Sequence, residues 1–123
     1  MELPGLKVTV DRVTYQPEAV TPPDHPYCFV YHITIHNQSD RTVTIKGRKW
    51  VVTNQRQEVI AVEGSGVVGK TPTLASGEQF SYNSYHLLDT PSALAEGSYL
   101  GMDEEGTAVF VRIPAFRMEV PQR

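Results

Sequence analysis

The stretch YCFVYHITIH, residues 27–36, decides the fold class of this chain. Large apolar side chains stand at every second position, and smaller or polar side chains stand between them. The first set is Tyr27, Phe29, Tyr31, Ile33 and Ile35, and the second is Cys28, Val30, His32, Thr34 and His36. A period of two in β-branched and aromatic residues is typical of a strand that buries one face. The stretch therefore predicts a half-buried β-strand.

Similar short β-rich runs lie on both sides of this strand. They are LKVTV (6–10), RTVTIKG (41–47), KWVVT (49–53), QEVIAVEG (57–64), EQFSYNSY (78–85), GSYLGM (97–102) and TAVFVRI (107–113). About seven short strands without helices predict an all-β antiparallel sandwich of the fibronectin type III or immunoglobulin kind. A small barrel is the competing architecture.

The segments between these runs carry turn residues. NQSD (37–40) and DEEG (103–106) predict tight reversals. QPEAVTPPDHP (16–26) has four prolines and therefore cannot form a helix or a central strand. The nearest candidate for a helix is TPSALAEGSY (90–99), which predicts at most one helical turn because Pro91 and Gly97 bracket it.

Composition limits what the chain can do. A length of 123 residues predicts a single domain, residues 1–123. The net charge of −3 gives no bulk attraction to nucleic acid. The N-terminus lacks the features of a signal peptide, no apolar run approaches the length of a membrane span, and Cys28 is the only cysteine. These features predict a cytoplasmic protein without a membrane span.

The segment GSGVVGKT, residues 64–71, matches the phosphate-binding P-loop pattern G-x-x-x-x-G-K-[ST]. A working P-loop needs a following helix, whose positive end faces the phosphates. Pro72 instead biases Thr71 towards extended geometry, and EQFSYNSY alternates like a strand. The sequence therefore predicts a glycine loop between strands, with positive φ at some of its glycines.

This glycine loop still leaves an anion-binding hypothesis open. Successive backbone N–H groups can form an anion-binding nest without a helix, and a lysine would add charge. The candidate ligand-binding residues are Gly64, Ser65, Gly66, Val67, Val68, Gly69 and Lys70. The ligand would be phosphate, pyrophosphate or a nucleotide, bound weakly.

The residue pattern gives little support for a metal site or a catalytic site. His32 and His36 on one strand lie ~13 Å apart, which is too far to chelate one ion. Ser84, His86 and Asp89 are close in sequence, but nothing in the pattern places them as a triad. Cys28 within a strand is typical of a small buried residue. We therefore predict no enzymatic activity, no cofactor and no metal ligands.

Six motifs in order resemble the bacterial ApaG family. They are KWVVT (49–53), GSGVVG (64–69), PTLASGEQFSY (72–82), LDTP (88–91), GSY (97–99) and IPAF (113–116). The resemblance covers nearly the whole chain. Departures from the family pattern are Lys49 for histidine, Ser76 for proline, and SYHLL (84–88) for a cysteine-containing segment. Lys70 and Thr71 are also unusual, so the family shares the glycines but not the complete P-loop match.

This resemblance implies a fibronectin type III-like sandwich, an association with cobalt resistance and magnesium efflux, and no established enzymatic activity. Similar domains occur in eukaryotic F-box proteins and in a polymerase-delta-interacting protein, which implies protein interaction. The leading hypothesis is therefore a binding module with a protein partner or a second copy of itself. The alternatives are a phosphate-ligand sensor at residues 64–70 and direct binding of divalent metal.

Overall fold

A computed structural model describes residues 1–121, which form eight strands. Two predicted runs, RTVTIKG and KWVVT, belong to one long strand, and a two-residue strand was not anticipated. The strands are β1 Leu6–Tyr15, β2 Tyr27–Asn37, β3 Val43–Asn54, β4 Val59–Ser65, β5 Thr73–Leu74, β6 Gln79–Leu88, β7 Ser92–Asp103 and β8 Ala108–Glu119. Within residues 1–121, no helix has the length and apolarity that a membrane span requires.

The strands form two antiparallel sheets. The smaller sheet has the order β1-β2-β6, and the larger has the order β4-β3-β7-β8, with β5 paired to the beginning of β3. Two separate sheets with one hydrophobic core confirm the all-β sandwich and exclude the closed barrel. The strand orders are those of a fibronectin type III sandwich.

The central strand β2 buries the face that its sequence predicts. Phe29, Tyr31, Ile33 and Ile35 are all buried in the core between the sheets. Cys28 is also buried and is not part of a disulfide, in agreement with its interpretation as a small buried residue. The alternation in the sequence therefore identifies the inward face of this strand correctly.

The helical turn predicted within TPSALAEGSY is wrong, because most of this segment belongs to the central strand β7. Strand β7 pairs with β3 on one side and β8 on the other, so tertiary pairing overrides the local preference of Ala and Leu. Small residues are needed there. A Cβ at Gly97 would stand 2.2 Å from the carbonyl oxygen of Lys49, on the neighbouring strand.

One extra residue in β3 changes which side chains face the core. The pairing of Ile45 with Gly101 is followed by the pairing of Gly47 with Leu100, so β3 contains a bulge around Lys46. Before the bulge the odd-numbered Val43 and Ile45 are buried, whereas after it Trp50 and Val52 are. The bulge therefore places Arg48 on the same inward face as Trp50.

The predicted reversal at DEEG is confirmed as a tight turn between the paired strands β7 and β8, whereas NQSD lies in a bend that leads from β2 in one sheet to β3 in the other. Each segment is stabilised by a buried polar side chain. Asn37 donates from Nδ2 to the carbonyl oxygens of Arg41, at 2.7 Å, and of Leu74, at 2.8 Å. Asp103 accepts hydrogen bonds from the backbone N–H groups of Glu105 and Thr107. Asn37 therefore connects the end of β2 to the segments around Arg41 and Leu74, next to the beginning of β3.

Candidate functional site

A cavity of about 350 Å³ lies between the two sheets, on the side where β4 and β6 form their edges. This volume falls within the range of small-ligand pockets. Its lining combines apolar residues with a few polar ones. The lining residues are His25, Tyr31, Arg48, Trp50, Val52, Asn54, Ile60, Val62, Ser84, Tyr85, His86, Leu87, Leu88 and Asp89.

Three aromatic rings form the base of this cavity. The ring centroids of Tyr31 and His86 are 4.8 Å apart in a stacked arrangement, and those of Tyr31 and Trp50 are 5.0 Å apart. Trp50 meets His86 edge-on, also at 4.8 Å. Pairs of this kind stabilise a packed core beyond the area that they bury. The three rings therefore form one packed cluster, in which each ring contacts the other two.

Two nitrogens at this base have no hydrogen-bond partner among the described residues. They are Nε1 of Trp50 and Nε2 of His86, and both atoms are shielded from solvent. Burial lowers the pKa of His86 to about 4, so the imidazole is neutral at pH 7. A buried unsatisfied polar atom costs roughly 1–3 kcal/mol. The cavity base therefore retains unused hydrogen-bonding capacity.

Arg48 brings a positive charge to one end of the cavity. Its Nη1 donates to the carbonyl oxygens of Ser65, at 3.0 Å, and Gly66, at 3.1 Å. Within residues 1–121, no carboxylate lies within 4.0 Å of its guanidinium. A Cβ at Gly64 would lie 2.8 Å from three guanidinium atoms. The glycine therefore makes room for a half-buried cation that lacks an anionic partner.

The opposite end of the cavity is already neutralised. Arg56 donates from Nη2 to Asp89 at 2.7 Å and from Nε to Glu58 at 2.8 Å. Asn54 donates to the same two carboxylates. Its hydrogen bond is the largest influence that lowers the pKa of each carboxyl group, and Arg56 contributes to both shifts. The cavity therefore has a free cation at one end and a paired network at the other.

The rim of the cavity is apolar and open to solvent. Ile60 and Val62 pair with Val52 and Trp50 on β3, and they point towards the space between the sheets. They nevertheless remain 48% and 46% exposed, because no strand of the smaller sheet covers them. Tyr85 on β6 is exposed as well. Partly uncovered apolar side chains at a concave site are typical of a binding surface.

The predicted glycine loop is shorter than its sequence indicated. Gly64 and Ser65 belong to β4, and the loop proper is a tight turn from Val67 to Lys70. Val68 and Gly69 have φ angles of 45° and 77°, the combination found in a type I′ turn. Gly66 also has a positive φ, whereas Gly64 does not. No helix follows within the described chain, which confirms that the P-loop match lacks its structural context.

Most of the loop's N–H groups already have acceptors. Gly66 donates to the carbonyl oxygen of Lys46, while Val67 and Lys70 donate to each other's carbonyl oxygens, at distances of 2.7 to 2.9 Å. The amides of Val68 and Gly69 at the tip make no such backbone bond. The loop therefore presents two amides, beside the exposed Lys70, to an incoming anion.

The other candidate residues occupy separate positions. His36 lies on the outer face of the smaller sheet, where its Nε2 is 2.9 Å from Oγ1 of Thr9. Ser84, His86 and Asp89 all line the cavity, but His86 Nε2 has no hydrogen-bond partner and Asp89 is bonded to Asn54 and Arg56. Across residues 1–121, no group of three or more His, Cys, Asp or Glu side chains is arranged to hold a metal ion.

Sequence reasoning missed the cavity and its cation. Arg48 follows a bulge that no local pattern reveals, and the exposure of Ile60 and Val62 depends on the absence of a covering strand. One signal was present. A glycine that pairs directly with an arginine across a hairpin indicates that the arginine lies over the glycine, as Gly64 and Arg48 do.

Comparisons with known proteins agree on one family. The family model described as the ApaG domain matches residues 17–103. Protein ApaG of Vibrio cholerae is 37% identical over 121 residues, which covers 98% of this chain and 95% of that protein. Protein ApaG of Enterobacter sp. strain 638 is also 37% identical, with 98% and 96% covered.

Two solved structures share the fold over almost their whole length. A protein designated ApaA from Bordetella pertussis gives a TM-score of 0.83 at 34% identity, with 98% of this chain and 99% of that chain covered. A Northeast Structural Genomics Consortium target gives 0.87 at 32% identity, with 95% and 88% covered. The chain therefore belongs to the ApaG family.

Proposed function

We propose that residues 1–123 act as one cytoplasmic, non-enzymatic binding module for a protein partner. The binding site is the groove that consists of the β4 edge and the adjoining cavity. The partner supplies an extended segment that pairs with the backbone of β4 and inserts side chains into the cavity. This mode of recognition is β-augmentation, in which backbone hydrogen bonds give affinity and pockets give specificity.

The observation that carries this proposal is the exposure of Ile60 and Val62. Both side chains belong to the inward face of the larger sheet, and the inward side chains of a strand added at the β4 edge would pack beside them. Burial of two such residues contributes roughly 1.5–3 kcal/mol each when it is complete. An uncovered edge strand with an apolar inward face is also a hazard for aggregation, which a specific partner would remove.

A connection with cobalt resistance and magnesium efflux would then be indirect. In this proposal the partner carries the effect on divalent cations, and the module regulates or recruits that partner. Calorimetry with Co²⁺ and with Mg²⁺ separates this indirect role from direct metal binding. Heat of binding with micromolar affinity for either ion would contradict it.

Affinity capture with matched variants tests the proposed interaction. The wild-type chain, the double variant Ile60→Ser with Val62→Ser, and the control Val20→Ser are immobilised at equal density. Val20 is fully exposed on the loop between β1 and β2 and does not line the cavity. We expect a protein that is retained by the wild type and by the control and lost by the double variant. Equal recovery of the captured protein on all three columns, or measurable substrate turnover without any partner, would contradict the proposal.

The glycine loop supports a second candidate function, the weak binding of pyrophosphate or a nucleotide. The site comprises residues 64–70, and its available donors are the amides of Val68 and Gly69 together with Lys70. Titration with pyrophosphate, followed by amide chemical shifts, tests this candidate. Saturable shifts confined to residues 63–72 and weakened by Lys70→Ala would support it, and no shift at millimolar ligand would dismiss it.

A further inference from the structure

The hydrogen-bond phase of β4 determines which of its backbone groups are free. Asn54 donates from its backbone N–H to the carbonyl oxygen of Glu58, and Gly66 donates to that of Lys46. Bonded pairs alternate along an antiparallel ladder, so the even-numbered residues of β4 bond to β3. The backbone groups of Val59, Ala61 and Glu63 therefore point to the open edge, where they are available to another strand.

The inward face of β4 presents three consecutive positions to such a strand. Ile60 and Val62 offer apolar side chains, and Gly64 offers none. The guanidinium of Arg48 occupies the space beside Gly64 and has no carboxylate partner among the described residues. An added strand thus meets two apolar positions and one cationic position, each separated by one residue.

We propose that the partner segment binds antiparallel to β4 and carries the pattern acid-x-apolar-x-apolar. Its acidic residue comes first and lies opposite Gly64, where its carboxylate pairs with Arg48. The two apolar residues follow opposite Val62 and Ile60. This inference rests on the proposed function and adds the direction, the register and the charge of the segment. Directly opposite residues on paired strands have Cβ atoms about 4.5–5.5 Å apart, which is close enough for these contacts.

Three segments of the chain have this pattern, DRVTY (11–15), EVIAV (58–62) and EQFSY (78–82), and the second of them leads into β4 itself. A second copy could therefore pair through β4 with Ala61 on the symmetry axis. Glu58, however, already accepts hydrogen bonds at 2.8 Å from Asn54 and from Arg56. Its carboxylate would have to leave both donors to reach Arg48, which favours a segment from a different protein.

Peptide binding with a two-by-two design tests the pattern. The probe is a capped peptide in which threonines alternate with one glutamate followed by two valines. The matched control peptide has glutamine in place of the glutamate. Binding is followed through the fluorescence of Trp50, the only tryptophan in the chain. A charge-assisted hydrogen bond is roughly twice as strong as a neutral one, so we expect the glutamate peptide to bind ~10-fold tighter or more.

Arg48→Gln should reduce this preference to near unity, whereas Arg48→Lys should retain part of it. The control Arg112→Gln removes a charge from an exposed side chain that pairs with Glu2, and it should leave the preference unchanged. Thermal unfolding of each variant verifies that it is folded before titration. If Arg48→Gln does not fold, loss of the preference in high salt with the wild type shows that it is electrostatic, and its loss in Gly64→Ala, whose new Cβ displaces the guanidinium, assigns it to Arg48.

The outcomes separate this inference from the proposed function. Equal affinity for the two peptides, with both lost in Ile60→Ser/Val62→Ser, would overturn the acidic pattern and leave the interaction groove in place. Binding of neither peptide would overturn the pattern, and affinity capture would still decide the proposed function. Sedimentation that shows a dimer dissociated by Glu58→Gln would assign the edge to a second copy and overturn the choice of a different protein.

Discussion

The five-stranded sheet ends in β8 on one side and in β4 on the other, and the two edges differ in how far they bury their inward faces. On β8, Val109, Val111 and Ile113 are at most 5% exposed, because β1 of the opposite sheet lies against this strand. The N-terminal segment also covers it, and Phe110 donates its backbone N–H to the carbonyl oxygen of Met1 at 2.9 Å. On β4, Ile60 and Val62 remain nearly half exposed.

This difference shows which edge contributes to stability and which is available for binding. Burial on β8 contributes to the core, so its apolar residues are explained without any ligand. Exposure on β4 has no such explanation, since the same residue types cost free energy when they face water. An unexplained apolar edge beside a cavity is therefore the most informative surface of the molecule.

The largest expected difference comes from the same substitution on each edge. Ile113→Ala should lower the free energy of unfolding by about 2–5 kcal/mol, because it leaves a cavity in a packed core. Ile60→Ala should cost about 1 kcal/mol or less, since its side chain is already half solvated. Urea denaturation of both variants measures the contrast. Similar costs at the two sites would mean that β4 is covered in solution.

Acidification should lower the free energy of unfolding, because His86 is half-buried as a neutral imidazole. Its folded pKa of about 4 lies below the ordinary value of 6.5, so the unfolded chain binds more protons between these pH values. Stability is therefore fully present above pH 6.5 and falls as the pH drops towards 4, by ~2 to 3 kcal/mol in total.

The variant His86→Phe checks this assignment, because it keeps an aromatic ring and removes the titrating group. Its stability should be nearly flat from pH 6.5 to 4.5, where the wild type declines. The carboxyl groups with lowered pKa values, Asp11, Glu58, Asp89 and Asp103, lose their stabilisation mainly below this range. A parallel decline in wild type and variant would show that another group is responsible.

The turn that follows β4 should accept a stabilising change. Val68 has a φ of 45°, which is unfavourable for a β-branched residue, and the type I′ turn prefers Asn-Gly. Val68→Asn should therefore raise the free energy of unfolding by about 1 kcal/mol. Thermal or urea denaturation would reveal the gain. A loss instead would indicate that the Val68 side chain makes a contact that stabilises the open edge.

The smallest effect on stability should come from Gly64→Ala, which nevertheless disturbs the site. The three atoms nearest to the new Cβ all belong to the guanidinium of Arg48, which can move aside by rotation of its long side chain at a cost of about 1 kcal/mol. Displacement of the guanidinium from the groove should abolish the preference for the glutamate peptide. Gly69→Ala is a control in open space, although its positive φ adds some strain. An unchanged peptide preference in Gly64→Ala would show that Arg48 does not contribute to recognition of the acidic residue.

The strands and the reversals were predictable because their causes are local. Alternation in β2 identifies Phe29 and Ile33 as core residues, and the residues of the NQSD and DEEG segments favour tight turns. The strand over Ser92–Asp103 was not predictable in full, since its small residues are required by close contacts with the two strands on either side of it.

The candidate site was much less predictable than the fold. The runs VIAV on β4 and AVFV on β8 are both apolar, and nothing local indicates that one is covered and the other is not. Arg48 is charged, and a charged residue within a strand is normally expected on the solvent face. Its inward position depends on the register of β3, which is a property of the pairing with β7.

The bulge at Lys46 has a consequence for comparing members of this family. A relative with the same number of residues but a regular ladder in place of the bulge would present the equivalents of Lys49, Val51 and Thr53 to the core and would turn those of Arg48 and Trp50 outward. Residue identity at position 48 alone is therefore a poor guide to whether a relative has the same site. The pairing with β7 between Ile45 and Trp50 is the feature to compare, because the presence of the bulge decides whether an aligned arginine lies in the groove or on the opposite face.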